Sequence, residues 1–332
     1  MPELRKDPIL GRWIIIAHER GNRPTDFLVE EAVTKGGFCP LCPGNEKSTP
    51  SETLAYGREN DVPNTPGWKL RVVPNKYPAL VIEGNLDKQG EGVYDRMNGI
   101  GAHEVIVETA DHHASFSYLP PEEMILTFLA YRERILDLAG DPRFKYVVVF
   151  KNYGKTAGAS LEHSHSQLVA LPVIPRTVAL EMDGSKVYFA FKDRCVYCDI
   201  IHQELHQRVR VVCENEHFVT LTPFAPRSPF EVWILPRAHQ SSYTEQDDAS
   251  LMDLSRIFSE TMRRLDVCIP NIPYNFVLHT EPLHSDPLKH YHWHFEIVPK
   301  VTSSAGFEWG TGFYINPLSP EDACGYLRAV QL

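Results

Sequence analysis

The chain carries the same order of cysteine and histidine residues twice, and this repeat constrains the fold more than any other feature. In each copy a Cys-x-x-Cys pair precedes two single histidines, which lie 51 positions apart in the first copy and 53 in the second. These residues are Cys39, Cys42, His112 and His163 in the first copy, and Cys195, Cys198, His239 and His292 in the second. The elements predicted around them also follow one order in both halves. Internal duplication is the simplest account of this pattern.

Each set of four residues predicts a metal site. Two thiolates and two imidazoles suit tetrahedral zinc, and a site with four protein ligands is closed and structural rather than catalytic. Aligning residues 103–105 with residues 230–232 carries His112 onto His239, nine residues further on in both halves, whereas His103 has no counterpart. We therefore predict His112 as the ligand. The alternative is a set of buried thiols and core histidines that bind no metal.

The stretch around the second histidine of the first copy reads as a strand. Side chains alternate across a strand, so His163, His165 and Gln167 share one face while Ser164 and Ser166 point to the other. A neutral imidazole can attack phosphorus, and an amide can donate a hydrogen bond to a phosphoryl oxygen. We predict that His165 is the nucleophile and that Gln167 is this donor. The alternative is a surface strand with histidines by chance.

The His-x-His-x-Gln pattern of residues 163–167 resembles the signature of the galactose-1-phosphate uridylyltransferase family, the transferase branch of the histidine-triad superfamily. Where that family has Pro and Gly, this chain has Ser164 and Ser166, which is similar to the ADP-glucose phosphorylase subgroup. The hydrolase branch has a third His in place of Gln167, so a hydrolase is disfavoured. The resemblance extends from residue 11 to a predicted last helix at 320–328.

The resemblance also implies which residues contact substrate. Arg20 and Arg23, in the loop after the first predicted strand, would lie near the substrate phosphates, where planar guanidinium groups match phosphate geometry. The other implied contacts are Asn75 with the nucleoside, Asn152 with the nucleophile, Ser160 with the phosphate of the leaving sugar phosphate, and Glu308 and Asn316 with the sugar.

The expected fold class is α+β, with two histidine-triad-like halves at residues 1–180 and 190–332. Each half is expected to hold an antiparallel sheet, a packed helix and a zinc knuckle. Some family members bind iron in the second half through a Glu and three His, so iron is the alternative metal there. Glu296 replaces Gln167 in the second half, and a carboxylate repels a phosphoryl group. His294 is therefore not expected to be a second nucleophile.

Composition and net charge argue against two classes of partner, nucleic acids and membranes. The 332 residues are 43% hydrophobic and 23% charged, as in ordinary soluble proteins, and the net charge of −10 argues against a nucleic-acid-binding surface. No apolar stretch approaches the length of a membrane span, and the N-terminus has no apolar leader. Four of seven cysteines lie in the two pairs, which favours metal binding in a reducing compartment. We expect a cytoplasmic protein without membrane or nucleic-acid partners.

The resemblance implies nucleotidyl transfer from a nucleotide sugar through a nucleotidyl-histidine, with sugar 1-phosphate or phosphate as the other substrate. Uridylyl exchange between UDP-glucose and galactose 1-phosphate is the main hypothesis at this stage. Phosphorolysis of ADP-glucose is the second, and a non-catalytic nucleotide-binding module is the third. The sequence leaves open whether a monomer or a homodimer forms the site.

Overall fold

In the residues that the structure describes, ten strands form one antiparallel sheet and five further strands lie outside it. The computed structural model describes residues 1–17, 24–27, 37–59, 62–303 and 305–332. In chain order the strands are β1 (Glu3–Lys6), β2 (Trp13–Ile16), β3 (Leu54–Tyr56), β4 (Leu70–Pro74), β5 (Gln89–Glu91), β6 (Tyr94–Arg96), β7 (Ala102–Val107), β8 (Tyr146–Tyr153), β9 (His165–Leu171), β10 (Val211–Glu214), β11 (Phe218–Leu221), β12 (Val232–Pro236), β13 (Tyr274–His279), β14 (His294–Pro299) and β15 (Tyr314–Asn316). The helices are α1 (Pro121–Leu138), α2 (Arg176–Lys192), α3 (Val196–Gln207), α4 (Asp248–Cys268), α5 (Gly306–Thr311) and α6 (Pro320–Ala329).

The strand order repeats about the centre of the large sheet. From one edge it runs β3, β4, β7, β9, β8, and from the other β10, β11, β12, β14, β13. The two central strands, β8 and β13, pair antiparallel, with Asn152 opposite Asn275. The expected α+β class with two antiparallel halves is therefore confirmed, and the halves share one sheet. The residue bounds assigned to the halves stay a prediction.

Helices α1 and α4 cover the same face of this sheet. Helix α1 begins with Pro121, whose fixed φ suits the first helical position, followed by two glutamates that favour the positive helix N-terminus. Helix α4 begins after Asp247, whose carboxylate accepts a hydrogen bond from the backbone N–H of Ser250. Phe128 of α1 and Phe258 of α4 pack with ring centroids 5.3 Å apart. One hydrophobic core therefore runs under both halves.

The opposite face of the sheet carries the polar residues. Residues paired across neighbouring strands point to the same side of a sheet. Gln167 of β9 pairs with Val105 of β7 and with Phe150 of β8. His103, Gln167 and Asn152 consequently share the face that the two long helices leave uncovered.

Two features differ from the sequence expectation. Helices α2 and α5 add to the single packed helix expected in each half. Strand β9 begins at His165, so His163 precedes the strand rather than lying in it. Among the helices of the described ranges, none combines the length and apolar character that crossing a membrane requires.

Candidate active site and metal centres

His165 lies at the start of β9, where the backbone carbonyl of His163 fixes the orientation of its ring. It is 8% exposed, and Nδ1 is 2.8 Å from the backbone carbonyl oxygen of His163. Because a carbonyl can only accept, Nδ1 must carry the proton and donate. The lone pair of the neutral ring is then on Nε2, which is the form that a nucleophilic imidazole requires.

The surroundings of His165 favour this neutral form. Burial is the main cause that lowers the pKa of His165, and the positive charge of Lys151 lowers it further. Burial also lowers the pKa of Lys151 itself, against the opposing effect of Glu108. The ordinary pKa of histidine is about 6.5, so a lowered value leaves the ring uncharged near pH 7.

A buried ionic network supports the strand from its other face. The ammonium group of Lys151 donates to Glu108 Oε2 at 2.5 Å, to Ser164 Oγ at 3.0 Å and to the carbonyl oxygen of His165 at 2.9 Å. Ser164 donates to the same carboxylate oxygen at 2.6 Å, and Tyr131 donates to Ser166 Oγ at 2.7 Å. Both serines thus point away from His165, as the strand alternation predicts.

Gln167 and Asn75 come together around a residue that the sequence did not single out as functional. Nε2 of His103 lies 2.9 Å from Gln167 Oε1 and 3.2 Å from Asn75 Nδ2. Asn75 also anchors the turn after β4, because its side-chain oxygen accepts from the backbone N–H of Tyr77. Gln167, the predicted hydrogen-bond donor to the phosphoryl oxygens, and Asn75, the predicted nucleoside contact, therefore lie side by side.

The loop between β8 and β9 is held by the second half of the chain. Asn275 donates to Asn152 Oδ1 and to the carbonyl oxygen of Ala157, both at 2.8 Å. Gly154 has a φ of +84°, and a Cβ there would lie 2.7 Å from Pro273, so only glycine fits. Ser160 is exposed near the middle of this loop, five positions before β9 begins. The loop shape thus depends on contacts between the two halves.

Asn152 and Asn275 also line a cavity of about 550 Å³ on the face of the sheet opposite α1 and α4. Tyr146, His279 and Tyr314 contribute to its walls. A cavity of this volume can hold a small organic ligand.

The first set of predicted metal ligands converges. Cys39, Cys42, His112 and His163 place one ligand atom each within 4.8 Å of the others. The Cys42 sulfur lies 3.2 Å from His112 Nδ1 and 3.5 Å from His163 Nδ1. Tetrahedral zinc with ordinary bond lengths separates a sulfur and a nitrogen ligand by about 3.6 Å. His163 Nε2 donates to the carbonyl oxygen of Thr109 at 2.8 Å, which leaves the Nδ1 lone pair for a metal.

The second set has the same arrangement. Cys195, Cys198, His239 and His292 also lie within 4.8 Å of one another. The Cys198 sulfur is 3.4 Å from His239 Nδ1 and 3.7 Å from His292 Nδ1, and His292 Nε2 donates to the carbonyl oxygen of Pro236 at 2.9 Å. Both donor sets therefore fit zinc, and four protein ligands would leave no open position on the ion.

A third cluster lies beside the second set. Glu181, His279 and His294 also bring their ligand atoms within 4.8 Å of one another. Burial lowers the pKa of His294 to about 4, and its ring stacks on His279 with centroids 4.8 Å apart. Burial opposes ionisation of Glu296, but Arg227 and the two histidines lower its pKa to about 2. His294 is 1% exposed and so is less accessible than His165, its counterpart in the first half.

The two predicted sugar contacts, Glu308 and Asn316, bond to backbone groups. Arg20 and Arg23 lie outside the described residues. Glu308 caps its own short helix, because its carboxylate accepts the backbone N–H of Ala305 at 2.8 Å. Asn316 is fully buried, and its amide bonds to Pro226 and Leu318. The sugar contacts of Glu308 and Asn316 stay predictions.

The residues that the sequence reasoning missed contact the predicted site from neighbouring strands. They are His103, Lys151, Glu108 and Asn275. These contacts depend on the register between strands, which the sequence does not give. A charged residue inside a strand that is otherwise β-branched and aromatic, as Lys151 is, was the available signal.

Comparison with known proteins agrees with this geometry. The sequence model of the galactose-1-phosphate uridyl transferase N-terminal domain matches residues 1–175, and that of a domain of unknown function matches residues 100–329. An ADP-glucose phosphorylase of Arabidopsis thaliana is 39% identical over all of this chain and 93% of its own. A galactose-1-phosphate uridylyltransferase of Thermotoga maritima is 28% identical over all of this chain and 99% of its own.

Solved structures agree as well. The crystal structure of an ADP-glucose phosphorylase from Arabidopsis thaliana with bound ADP-glucose has a TM-score of 0.85 and 37% identity, with complete coverage of both chains. A uridylyltransferase structure has a TM-score of 0.77 and 29% identity over 99% of this chain and 98% of that one. From its matched first half and its full-length relatives, this chain belongs to the galactose-1-phosphate uridylyltransferase family of enzymes.

Proposed function

We propose that this enzyme is a phosphorylase of ADP-glucose. The observation that carries the proposal is 39% identity along the whole chain to an ADP-glucose phosphorylase, against 28% to a galactose-1-phosphate uridylyltransferase. The 37% identical structure that matches over its full length holds ADP-glucose. This preference reverses the order of the two hypotheses drawn from the sequence, where uridylyl exchange stood first.

In the proposed first step, Nε2 of His165 attacks the phosphorus that bears the adenosine. A P–N bond forms, and the bond from this phosphorus to the bridging oxygen breaks with its electron pair, so glucose 1-phosphate leaves. Gln167 donates to the phosphoryl oxygens, and Ser160 contacts the leaving phosphate. The orientation of the His165 ring supports this role because Nδ1–H is already used by the carbonyl of His163.

In the proposed second step, an oxygen of inorganic phosphate attacks the same phosphorus. The P–N bond breaks, ADP leaves, and His165 regains its lone pair. Zinc at the two Cys₂His₂ sites would hold the backbone before His165 and the second half in place, and iron remains the alternative at the second site. Zinc is d¹⁰ and redox-inactive, which suits such a structural part.

The direct test is product formation by the zinc-loaded enzyme. Glucose 1-phosphate should be released from ADP-glucose over many turnovers only when inorganic phosphate is present. His165→Ala should abolish this release. A matched control is His206→Ala, which removes an exposed histidine of α3 outside the metal sets of the described residues. Rapid release of glucose 1-phosphate from UDP-glucose with galactose 1-phosphate, without activity on ADP-glucose, would contradict the proposal.

Uridylyl exchange remains the second candidate function. The match of residues 1–175 to the uridyl transferase N-terminal domain favours it. The same assay separates the two, because the nucleotide and the acceptor differ in each.

A further inference from the structure

His103 lies next to Gln167 on the face of the sheet opposite α1 and α4. It is a residue of β7, and Val105, two positions further on, pairs directly with Gln167. The ring is half-buried between the amides of Gln167 and Asn75. It is no member of the metal sets found in the described part of the chain.

Backbone contacts determine which nitrogen of His103 carries the proton. The backbone N–H of Ala79 donates to Nδ1 of His103 at 3.2 Å. A backbone amide cannot exchange donor for acceptor, so Nδ1 must offer its lone pair. In that neutral ring Nε2 carries the proton and donates.

A second backbone group determines which neighbour accepts the hydrogen bond from Nε2–H. The N–H of Tyr77 donates to Asn75 Oδ1 at 2.9 Å, so the NH₂ group of Asn75 is the part that faces His103. Two donors cannot bond to each other. The remaining neighbour is Gln167 Oε1 at 2.9 Å, which accepts the hydrogen bond from Nε2–H of His103.

The direction of the Gln167 amide follows from this contact. With its oxygen held by His103, the NH₂ group is the end left for a ligand beside His165. A flipped amide would present oxygen to the anionic phosphoryl group and would also set its NH₂ against Nε2–H of His103. An amide can be flipped with almost no change of shape, so some contact must fix its direction.

We propose that His103 is a positioning residue that holds the amide of Gln167 with its NH₂ group toward the phosphoryl group being transferred. The inference rests on the proposed function, because it needs a phosphoryl group beside His165. His103 acts through Gln167 and does not itself touch the substrate.

A matched pair of variants tests this orientation. His103→Gln keeps an N–H donor near the position of Nε2, whereas His103→Glu is similar in shape but offers an acceptor that attracts the NH₂ group of Gln167. We expect the single-turnover rate of adenylyl-enzyme formation from ADP-glucose to stay within about fivefold in His103→Gln. We expect it to fall about 100-fold in His103→Glu, which is the range for losing one preorganised donor.

The Gln167→Ala background separates positioning from a direct effect of charge. There the two His103 variants should have rates within about twofold of each other, since the amide that they orient is gone. A 100-fold difference that persists in this background would mean that the carboxylate repels the substrate directly, and would overturn the proposal. Equal rates for the two variants in the presence of Gln167 would overturn it too.

Failure of the proposed function would be recognised in the unmodified enzyme. An adduct formed only from UDP-glucose would reject ADP-glucose as substrate, and the same four variants would then be compared with UDP-glucose. No adduct from either nucleotide sugar would overturn both proposals. Zinc content and the urea midpoint of each variant, expected to match the parent, show that its fold is retained.

Discussion

Lys151 is the residue whose removal should reveal most about how the nucleophile is held. Its side chain is 1% exposed, and that of its partner Glu108 is completely buried. The ammonium group also donates to Ser164 and to the carbonyl of His165. Lys151→Met keeps the length of the side chain but removes all three hydrogen bonds and leaves a carboxylate buried without its cation.

The expected cost is large because burial removes the alternative of solvation by water. Breaking a buried ion pair from one side costs about 3–5 kcal/mol of unfolding free energy. Glu108→Gln should cost a similar amount, since it leaves the ammonium uncompensated. In the double variant neither charge remains, so its loss should be smaller than the sum of the two single losses by at least about 2 kcal/mol.

Urea unfolding of the zinc-loaded parent, both single variants and the double variant measures this cycle. The double variant should lose less stability than the two single losses together. It should still form the adduct more slowly than the parent, because the carbonyl of His165 lacks its donor. Losses that add within about 0.5 kcal/mol would refute the reasoning, since they would show that the two charges do not stabilise each other.

Three further changes have expected outcomes. Cys42→Ser should lower the zinc content by about one ion per chain by elemental analysis, whereas Cys213→Ser, outside both sets, should leave it unchanged. Asn275→Leu should slow adduct formation about tenfold and cost about 1–3 kcal/mol in urea unfolding, because Asn152 and a loop carbonyl lose their donor. Burial opposes ionisation of Glu52, but hydrogen bonds from two arginines lower its pKa to about 2. Its stabilising effect is full above the ordinary value of about 4.3 and is lost as the pH falls through about 2. The stability deficit of Glu52→Gln should therefore shrink between pH 5 and pH 2.5 in urea titrations, and a constant deficit would contradict this.

The metal sets were predictable from sequence because the same order of two cysteines and two histidines occurs twice in the chain. Spacing alone placed His112 and His239 at matching positions, and the structure brings each set of four together. The alternation around His165 was equally informative, since period two is a property of any strand. Ser164 and Ser166 accordingly face the core rather than the site.

The contacts between strands were not predictable in the same way. His103 reaches Gln167 only because β7 and β9 pair in one particular register, and register is a property of the folded sheet. Asn275 supports Asn152 because the two halves join through β8 and β13. The partner of Asn316 was not predictable either, because the fold brings the carbonyl oxygen of Pro226, 90 residues away in sequence, to its amide.

Intact-mass spectrometry of the zinc-loaded enzyme tests most directly whether an adenylyl group is transferred covalently through His165. After incubation with ADP-glucose alone, the chain should gain the mass of one adenylyl group on His165, and inorganic phosphate should then remove it. A uridylyl adduct from UDP-glucose that only galactose 1-phosphate removes, with none from ADP-glucose, would contradict the account.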